Sequence, residues 1–264
     1  MPIYSLVRAC SLVFSLSALA GSVAAQEPSG ITTAVITEAS ASGVTGSRTL
    51  ELNGLVFNGD RVDTDDGGQA QIRFRDDTRL VVGPNSSLII DSFVFNPDNS
   101  VQKVSMEAVK GTFRFFSGIG PKQAYGIRTP SSTIGIRGTL FDFYVASDGR
   151  MDLVSYEGEV DVCDLTGKCV VLSGGCALVS TSPGGGIRQV PGDTPERKAR
   201  LSANFPYAVS QVSLRSDFQT DVSACGLGNT QSQQAAAAAA AAALAPTIGG
   251  LADEIDDEEK PVSP

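Results

Sequence analysis

The sequence contains no histidine and no tryptophan among its 264 residues. Histidine is the side chain most often used as a general base, and it is the commonest protein ligand for transition metals. Its absence excludes Ser-His-Asp and Cys-His catalysis and the usual zinc hydrolase sites. We therefore expect no catalytic residues, no metal and no other cofactor. The lack of tryptophan makes an aromatic sugar-stacking surface less favoured without excluding it.

Positive charge is also scarce. The chain has 20 Lys and Arg residues against 29 Asp and Glu residues, which gives a net charge of −9. An acidic chain without a basic patch binds nucleic acid poorly, because binding requires cations that neutralise the phosphates. We expect no nucleic-acid partner.

The first 25 residues have the pattern of a secretory signal peptide. A short segment with one positive charge precedes an apolar run at residues 9–20, and small residues end at Ala25. The run is shorter than the roughly 20 residues that span a bilayer. We expect cleavage between Ala25 and Gln26, export from a bacterial cytoplasm, and a periplasmic or secreted protein without a transmembrane helix. The alternatives are an uncleaved membrane anchor and a lipoprotein attached through Cys10.

Four cysteines follow this segment: Cys163, Cys169, Cys176 and Cys225. An even number in an exported chain indicates disulfides, and four cysteines allow three pairings. Cys163 and Cys169 flank a predicted hairpin tip, where a cross-strand disulfide can form. Cys176 and Cys225 would then tie the C-terminal part to the β domain. Zinc is the alternative, although no C-x-x-C spacing is present.

Residues 31–190 have the alternation of an all-β domain. At residues 69–75, small or apolar side chains alternate with Gln and Arg, as in a strand with one buried face. Turn residues recur roughly every 8–12 positions, which is typical of a sandwich, a barrel or a β-solenoid. This spacing leaves no room for βαβ crossovers. Gly111 and Gly158, after Lys110 and Glu157, are interpreted as hairpin turns.

The pattern changes to a helical appendage at residues 194–228. Thr194, Pro195 and Glu196 predict a helix start, with a hydroxyl N-cap, a proline in the first turn and an acid near the positive end of the dipole. A second short helix is predicted at residues 209–218. Residues 229–264 are Ala-rich and then acidic, and we expect them to be mostly disordered.

Four segments in order, residues 55–64, 70–80, 129–141 and 156–160, resemble the FecR domain, the extracytoplasmic domain of regulators in iron-uptake signalling. The resemblance covers roughly residues 34–180. It implies an all-β fold of small twisted antiparallel sheets in a sandwich or solenoid-like arrangement, and it supplies no catalytic residues. The residues that match the family motifs, which we expect to be structural, are Gly59, Asp60, Thr64, Arg137, Gly138, Thr139, Glu157 and Gly158.

The best-known members of that family carry a cytoplasmic anti-sigma segment and a membrane helix before the domain. Here the sequence predicts a signal peptide in that place. We therefore expect a stand-alone exported module that binds an envelope protein partner or acts in sensing. The alternative is a periplasmic protein that binds a small molecule or a glycan. An enzyme using only carboxylates, such as a glycosidase, ranks last, because the acids fall mostly at turns and in the tail.

Three features of the sequence could be functional sites, and for each of them we favour a purely structural role. Arg137 beside Gly138 could hold a carboxylate ligand, or it could form an ion pair in a kinked strand while Thr139 bonds to backbone. The acids between Asp60 and Asp66 could bind Ca²⁺, but they lack EF-hand spacing. A set of phenylalanines could line an apolar pocket or form the core. This set is Phe113, Phe115, Phe116, Phe141 and Phe143.

Overall fold

The computed structural model describes residues 26–44, 46–96 and 100–227. The expected signal peptide and the expected disordered tail lie outside these residues. The all-β class with a short helical C-terminal part is confirmed. The strands are β1 Gly30–Ile36, β2 Ala39–Gly43, β3 Gly46–Thr49, β4 Leu55–Val56, β5 Arg61–Thr64, β6 Gln69–Phe74, β7 Arg79–Val82, β8 Ser87–Phe95, β9 Val101–Phe116, β10 Tyr125–Arg128, β11 Ser132–Val145, β12 Met151–Asp164, β13 Cys169–Ser173, β14 Ala177–Thr181 and β15 Ile187–Val190. The helices are α1 Pro195–Asn204 and α2 Pro206–Val209, and 3-10 turns form at Lys122–Ala124, Ser216–Phe218 and Ser223–Cys225.

The strands form one hydrogen-bonded network that folds over into two sheets. Sheet I has the order β4-β1-β6-β7-β9-β11-β12-β14-β15, and sheet II has the order β3-β2-β5-β8-β9-β10-β11-β12-β13. Strands β9, β11 and β12 contribute one half to each sheet. All neighbours are antiparallel except β9 and β10. The result is a sandwich whose two layers share three long strands.

Glycines allow the three long strands to cross between the sheets. Gly111, Gly138 and Gly158 have φ angles of +106°, +73° and +69°, which only glycine adopts readily. A Cβ atom at Gly158 would lie 2.0 Å from the carbonyl oxygen of Gly138, so two of the crossings touch. The predicted hairpin turns at Gly111 and Gly158 are wrong. These glycines bend continuous strands, because the two halves of each strand pair with other strands instead of with each other.

The main core lies between the two sheets. Phe113 stacks on Phe143 with ring centroids 4.8 Å apart, and Phe115 stacks on Phe141 at 5.5 Å. All four rings are fully buried. Phe116 points to the opposite side of sheet I, because it follows Phe115 directly in an alternating strand. Four of the five phenylalanines therefore form part of the main core, as expected for a structural role. The fifth, Phe116, lies on the outer face of sheet I.

Residues 195–227, which we name the strap, cover the outer face of sheet I. Helix α1 begins as predicted, since the Thr194 hydroxyl accepts a hydrogen bond from the Arg197 amide at 3.2 Å. The predicted helix at residues 209–218 is wrong. That part of the strap is mostly irregular, and its Ser213 carbonyl accepts hydrogen bonds from Gln69 and Gln71 of β6. Polar groups on the sheet thus take the place of helical hydrogen bonds.

Two disulfides are present, with the pairing that the hairpin interpretation favoured. Cys163 is bonded to Cys169 across β12 and β13, and Cys176 is bonded to Cys225 at the end of the strap. The second disulfide joins the strap covalently to sheet I. Within the described ranges, every helix is too short or too polar to cross a membrane.

Candidate functional site

The residues that match the family motifs collect at two separate places. Gly138, Thr139, Glu157 and Gly158 meet where β11 and β12 cross between the sheets. Gly59, Asp60 and Thr64 lie around the start and end of β5. The sequence motifs therefore do not converge on one site.

The group near β5 holds the backbone in place. Asp60 is fully buried, pairs with Arg48, and accepts a hydrogen bond from the Phe57 amide at 2.8 Å. Gly59 supplies the positive φ angle of +83° that this turn needs. The Thr64 hydroxyl donates to the Gly83 carbonyl at 2.5 Å. Through these contacts, the three residues stabilise the backbone at the two ends of β5.

The acids near β5 point to different neighbours. Asp63 pairs with Arg61 at 3.1 Å, and Asp66 accepts a hydrogen bond from Asn85 at 3.1 Å. Over the ranges that the structure describes, no group of three or more acids and cysteines lies close enough to hold a metal ion.

Arg137 lies on the outer face of sheet II. Its Nε atom is 2.6 Å from a carboxylate oxygen of Asp161, and the Thr139 hydroxyl donates to the Glu157 carbonyl at 2.5 Å. This is the kinked strand with a structural ion pair that the sequence favoured. Arg137 is thus already engaged by a carboxylate of its own chain.

A cleft of about 360 Å³ opens where the crossing of β11 and β12 meets the strap. It is the place where Gly138, Thr139 and Glu157 come together with residues far away in the sequence. Its lining is mainly polar, with a small apolar floor. The other lining residues are Arg79, Phe116, Ser117, Leu140, Ser216, Asp217, Gln219 and Thr220.

Arg79 is the cation of this cleft. Its guanidinium carbon lies 4.2 Å from the centre of the Phe116 ring, and it donates a hydrogen bond to the Asp217 carbonyl. Among the described residues, no carboxylate lies within 4 Å of it; the Asp217 carboxylate pairs with Arg73 instead, at 2.9 Å. Burial and the neighbouring Arg73 lower the pKa of Arg79, while Asp217 and Asp77 raise it less. Most of its donors therefore remain available to an incoming acceptor.

Glu157 and the strap form the other part of the cleft lining. The Glu157 carboxylate accepts a hydrogen bond from the Thr220 hydroxyl at 3.2 Å. The cleft thus offers a cation, a carboxylate, hydroxyl groups and one aromatic ring. This combination suits a small polar ligand through hydrogen bonds and charge-assisted contacts.

A buried ion pair beneath the strap was missed at the level of sequence. Arg114 and Asp142 are both fully buried, with two nitrogen–oxygen distances of 2.7 and 2.9 Å. The Tyr156 hydroxyl donates to Asp142 at 2.8 Å, and Gln211 and the Tyr207 carbonyl accept from Arg114. Burial and the Asp142 carboxylate raise the pKa of Tyr156 well above its ordinary value of 10.0. The alternation of β9 and β11 placed both residues on one face, but only the strap buries them.

No pattern in the sequence marked Arg79 as a cleft residue either. Arg79 and Asp217 meet only because the strap returns over sheet I, 138 positions later in the chain. Arg79 does fall within the motif segment at residues 70–80, which was the one indication that its neighbourhood matters.

Comparisons with known proteins give one family and several distant structures. Residues 60–161 match the family model described as FecR protein. Two crystal structures of a candidate anti-sigma factor from Parabacteroides distasonis ATCC 8503 are similar at 16% and 18% identity, each with a TM-score of 0.40 and 54% of this chain covered. The matches span 64% and 65% of those chains. A cell surface anchoring domain matches 23% of this chain and 82% of its own, at 29% identity and a TM-score of 0.22. No curated protein matches the chain.

Proposed function

We propose that this chain, which carries a FecR domain at residues 60–161, is a non-enzymatic protein-interaction or sensory module of the bacterial cell envelope. The observation that carries the proposal is the match to the family itself. The structural engagement of the motif residues supports the same interpretation. Arg137, Thr139, Asp60 and Thr64 bond to their own fold.

Export to the periplasm or the medium is part of the proposal. Its supports are the signal-peptide pattern and the two disulfides, since disulfides form and persist in oxidising compartments. The test is the intact mass of the protein recovered from envelope and culture fractions. Export predicts a chain that begins at Gln26 in those fractions. A full-length chain retained in the cytosol would contradict it.

The outer face of sheet II is the surface that we assign to a protein partner. The strap already occupies the outer face of sheet I, whereas the side chains of sheet II alternate between core and solvent. Charges of both signs lie on this open face: Arg128 is 3.4 Å from both Asp91 and Glu107, and Arg137 pairs with Asp161. Such mixed charge favours a specific, oriented encounter over non-specific attraction.

In-cell photocrosslinking tests this assignment. A photoreactive residue at Thr133, which is exposed on the open face, is expected to give a reproducible adduct with one envelope protein. The matched control is the same residue at Lys198, which is exposed on the strap. Arg137→Glu is expected to reduce the Thr133 adduct without lowering the melting temperature substantially. Equal adducts from both positions, or none, would argue against the assignment.

Binding of a small molecule or a glycan is the second candidate function. The specific observation in its favour is Arg79, which faces the cleft without a carboxylate partner in the described part of the chain. Calorimetric titration with soluble cell-wall glycan fragments and with short carboxylic acids tests it. Arg79→Gln is expected to abolish binding, whereas Arg128→Gln on the open face is expected to leave it unchanged. No heat from either class of probe with the wild type would eliminate this candidate.

A further inference from the structure

Strand β13 forms an open edge of sheet II. Cys169–Ser173 pairs with β12 only, and among the described residues no other backbone or side chain bonds to its main-chain groups. An open edge presents unpaired N–H and C=O groups, which can pair with a further strand.

The spacing of β12 and β13 tells which groups point outward. Cys163 and Cys169 lie directly opposite each other with Cα atoms 4.0 Å apart. Such close pairs, near 4.5 Å instead of about 5.5 Å, do not exchange hydrogen bonds with each other, so their N–H and C=O groups point away from the partner strand. By alternation, Cys169, Val171 and Ser173 each direct one N–H and one C=O to the open edge.

Among the described strands, the other three edges of the two sheets are each shorter than β13, and two of them carry an arginine. Strand β4 has only two residues, β3 carries Arg48, and β15 carries Arg188, which pairs with Glu196 of α1. Short edges and edge charges are the usual means by which proteins prevent pairing. The sequence of β13, CVVLS, has no charge, and Val171 is 50% exposed.

We propose that the β13 edge is a homodimer interface in which two copies pair antiparallel about Val171. This pairing does not rest on the proposed function. Val171 would lie opposite Val171 of the second copy and exchange both backbone hydrogen bonds with it. Cys169 would lie opposite Ser173, and Val170 opposite Leu172. All outward N–H and C=O groups of the three edge residues would then be satisfied.

The edge favours a second copy because its pattern is complementary to itself. A two-fold axis midway between the two Val171 residues places apolar residues opposite apolar residues on the core side, where Leu172 is buried and Val170 packs against the main core. Lys168 would face Gly174, so no like charges meet at the ends of the pairing. A two-fold interface of this kind uses the same patch on both subunits. Two short strands bury little area, so the association is weak and concentration-dependent.

Sedimentation velocity over a wide range of concentration tests the dimer. The wild type is expected to self-associate at protein concentrations up to about 0.5 mM. Val171→Lys places two like charges on the axis and is expected to weaken association by about tenfold or more. The matched control is Val212→Lys, an exposed valine on the strap that is 56% accessible, which is expected to associate like the wild type. Melting curves confirm that both variants fold.

A mixture of variants provides the sharper experiment. Val171→Lys mixed with Val171→Glu is expected to associate more strongly than either variant alone, since the two charges then attract. Hydrogen exchange of the Cys169, Val171 and Ser173 amides is expected to slow as the wild-type concentration rises. A wild type that stays monomeric, a Val171→Lys variant that associates normally, or a mixture without rescue would overturn the proposal.

Discussion

Each sheet carries an Arg–Asp ion pair on its outer face, and the pair is buried on sheet I and exposed on sheet II. On sheet I, Arg114 and Asp142 lie on neighbouring strands and are fully buried beneath the strap. On sheet II, Arg137 and Asp161 also lie on neighbouring strands, with 55% and 25% of their side chains exposed. The chemistry is the same, and only the covering segment differs.

The buried pair requires hydrogen-bond partners from the strap. Burying two charges costs more than their attraction returns unless further hydrogen bonds satisfy the remaining donors and acceptors. The strap contributes such bonds through Gln211 and the Tyr207 carbonyl, and sheet I adds Tyr156. The open face needs no such partners, because water solvates its charges. Each face also has one disulfide, which allows matched experiments.

The largest effect is expected when the covered pair is broken. Arg114→Met leaves Asp142 buried without its cation, and we expect a loss of about 3–5 kcal/mol in the free energy of unfolding. Arg137→Met on the open face is expected to cost at most about 1 kcal/mol. Urea unfolding measures both. The double variant Arg114→Met with Asp142→Leu is expected to recover most of the lost free energy. Similar losses for Arg114→Met and Arg137→Met would show that covering by the strap makes no difference to the ion pair.

The two disulfides should also differ in strength. Cys176 and Cys225 are 49 positions apart, whereas Cys163 and Cys169 are 6 apart. On the chain-entropy account, the longer loop contributes about 4 kcal/mol and the shorter one about 2 kcal/mol. We therefore expect Cys176→Ser with Cys225→Ser to lower the unfolding free energy more than Cys163→Ser with Cys169→Ser. Hydrogen exchange in the strap should then accelerate for the first variant only. A larger loss of unfolding free energy in the second variant would contradict the view that the Cys176–Cys225 disulfide holds the strap on sheet I.

The crossing of β11 and β12 should tolerate an added side chain less well than the hairpin tip between β12 and β13. Gly158→Ala places a Cβ against the Gly138 carbonyl at a positive φ angle, and we expect a loss of about 3 kcal/mol. Gly167 also has a positive φ angle, but a Cβ atom added there would meet no other atom within 4 Å. Gly167→Ala is therefore expected to cost only about 1 kcal/mol. Thermal melting of the two variants compares them, and equal losses would show that backbone conformation alone matters at both glycines.

Alkaline pH should weaken the covered face. Burial and Asp142 hold the pKa of Tyr156 well above 10.0, so the tyrosine is neutral in the folded protein, while in the unfolded chain it ionises near pH 10. Because the folded-state pKa is the higher one, its stability contribution is complete below pH 10 and is lost as the pH rises further. The slope approaches about 1.4 kcal/mol per pH unit. Tyr156→Phe is expected to reduce this dependence of the unfolding free energy on pH, measured by urea unfolding above pH 10. An unchanged slope would show that Tyr156 is not its cause.

Local features were predictable where the deciding contacts are close in the chain. Thr194 caps α1 because the amide that it accepts from is three residues away. Gly138 was expected to kink a strand, and Cys163 and Cys169 to join a hairpin, for the same reason. Gly111 and Gly158 were misinterpreted, because a hairpin and a crossing between sheets use the same residue. The distinction depends on which strands lie on either side.

The alternation in the sequence predicts the β class, the motifs near β5 and at the β11–β12 crossing predict a resemblance to the FecR domain, and Thr194 predicts the local helix start. The burial of Arg114 and Asp142, the position of Arg79 in a cleft and the open edge at β13 all follow from how distant segments pack together. Periodicity assigns a side chain to a face of its strand. Whether that face meets core, strap or solvent depends on segments distant in the sequence, such as Tyr207 and Gln211 above Arg114, whose position follows from packing of the whole chain.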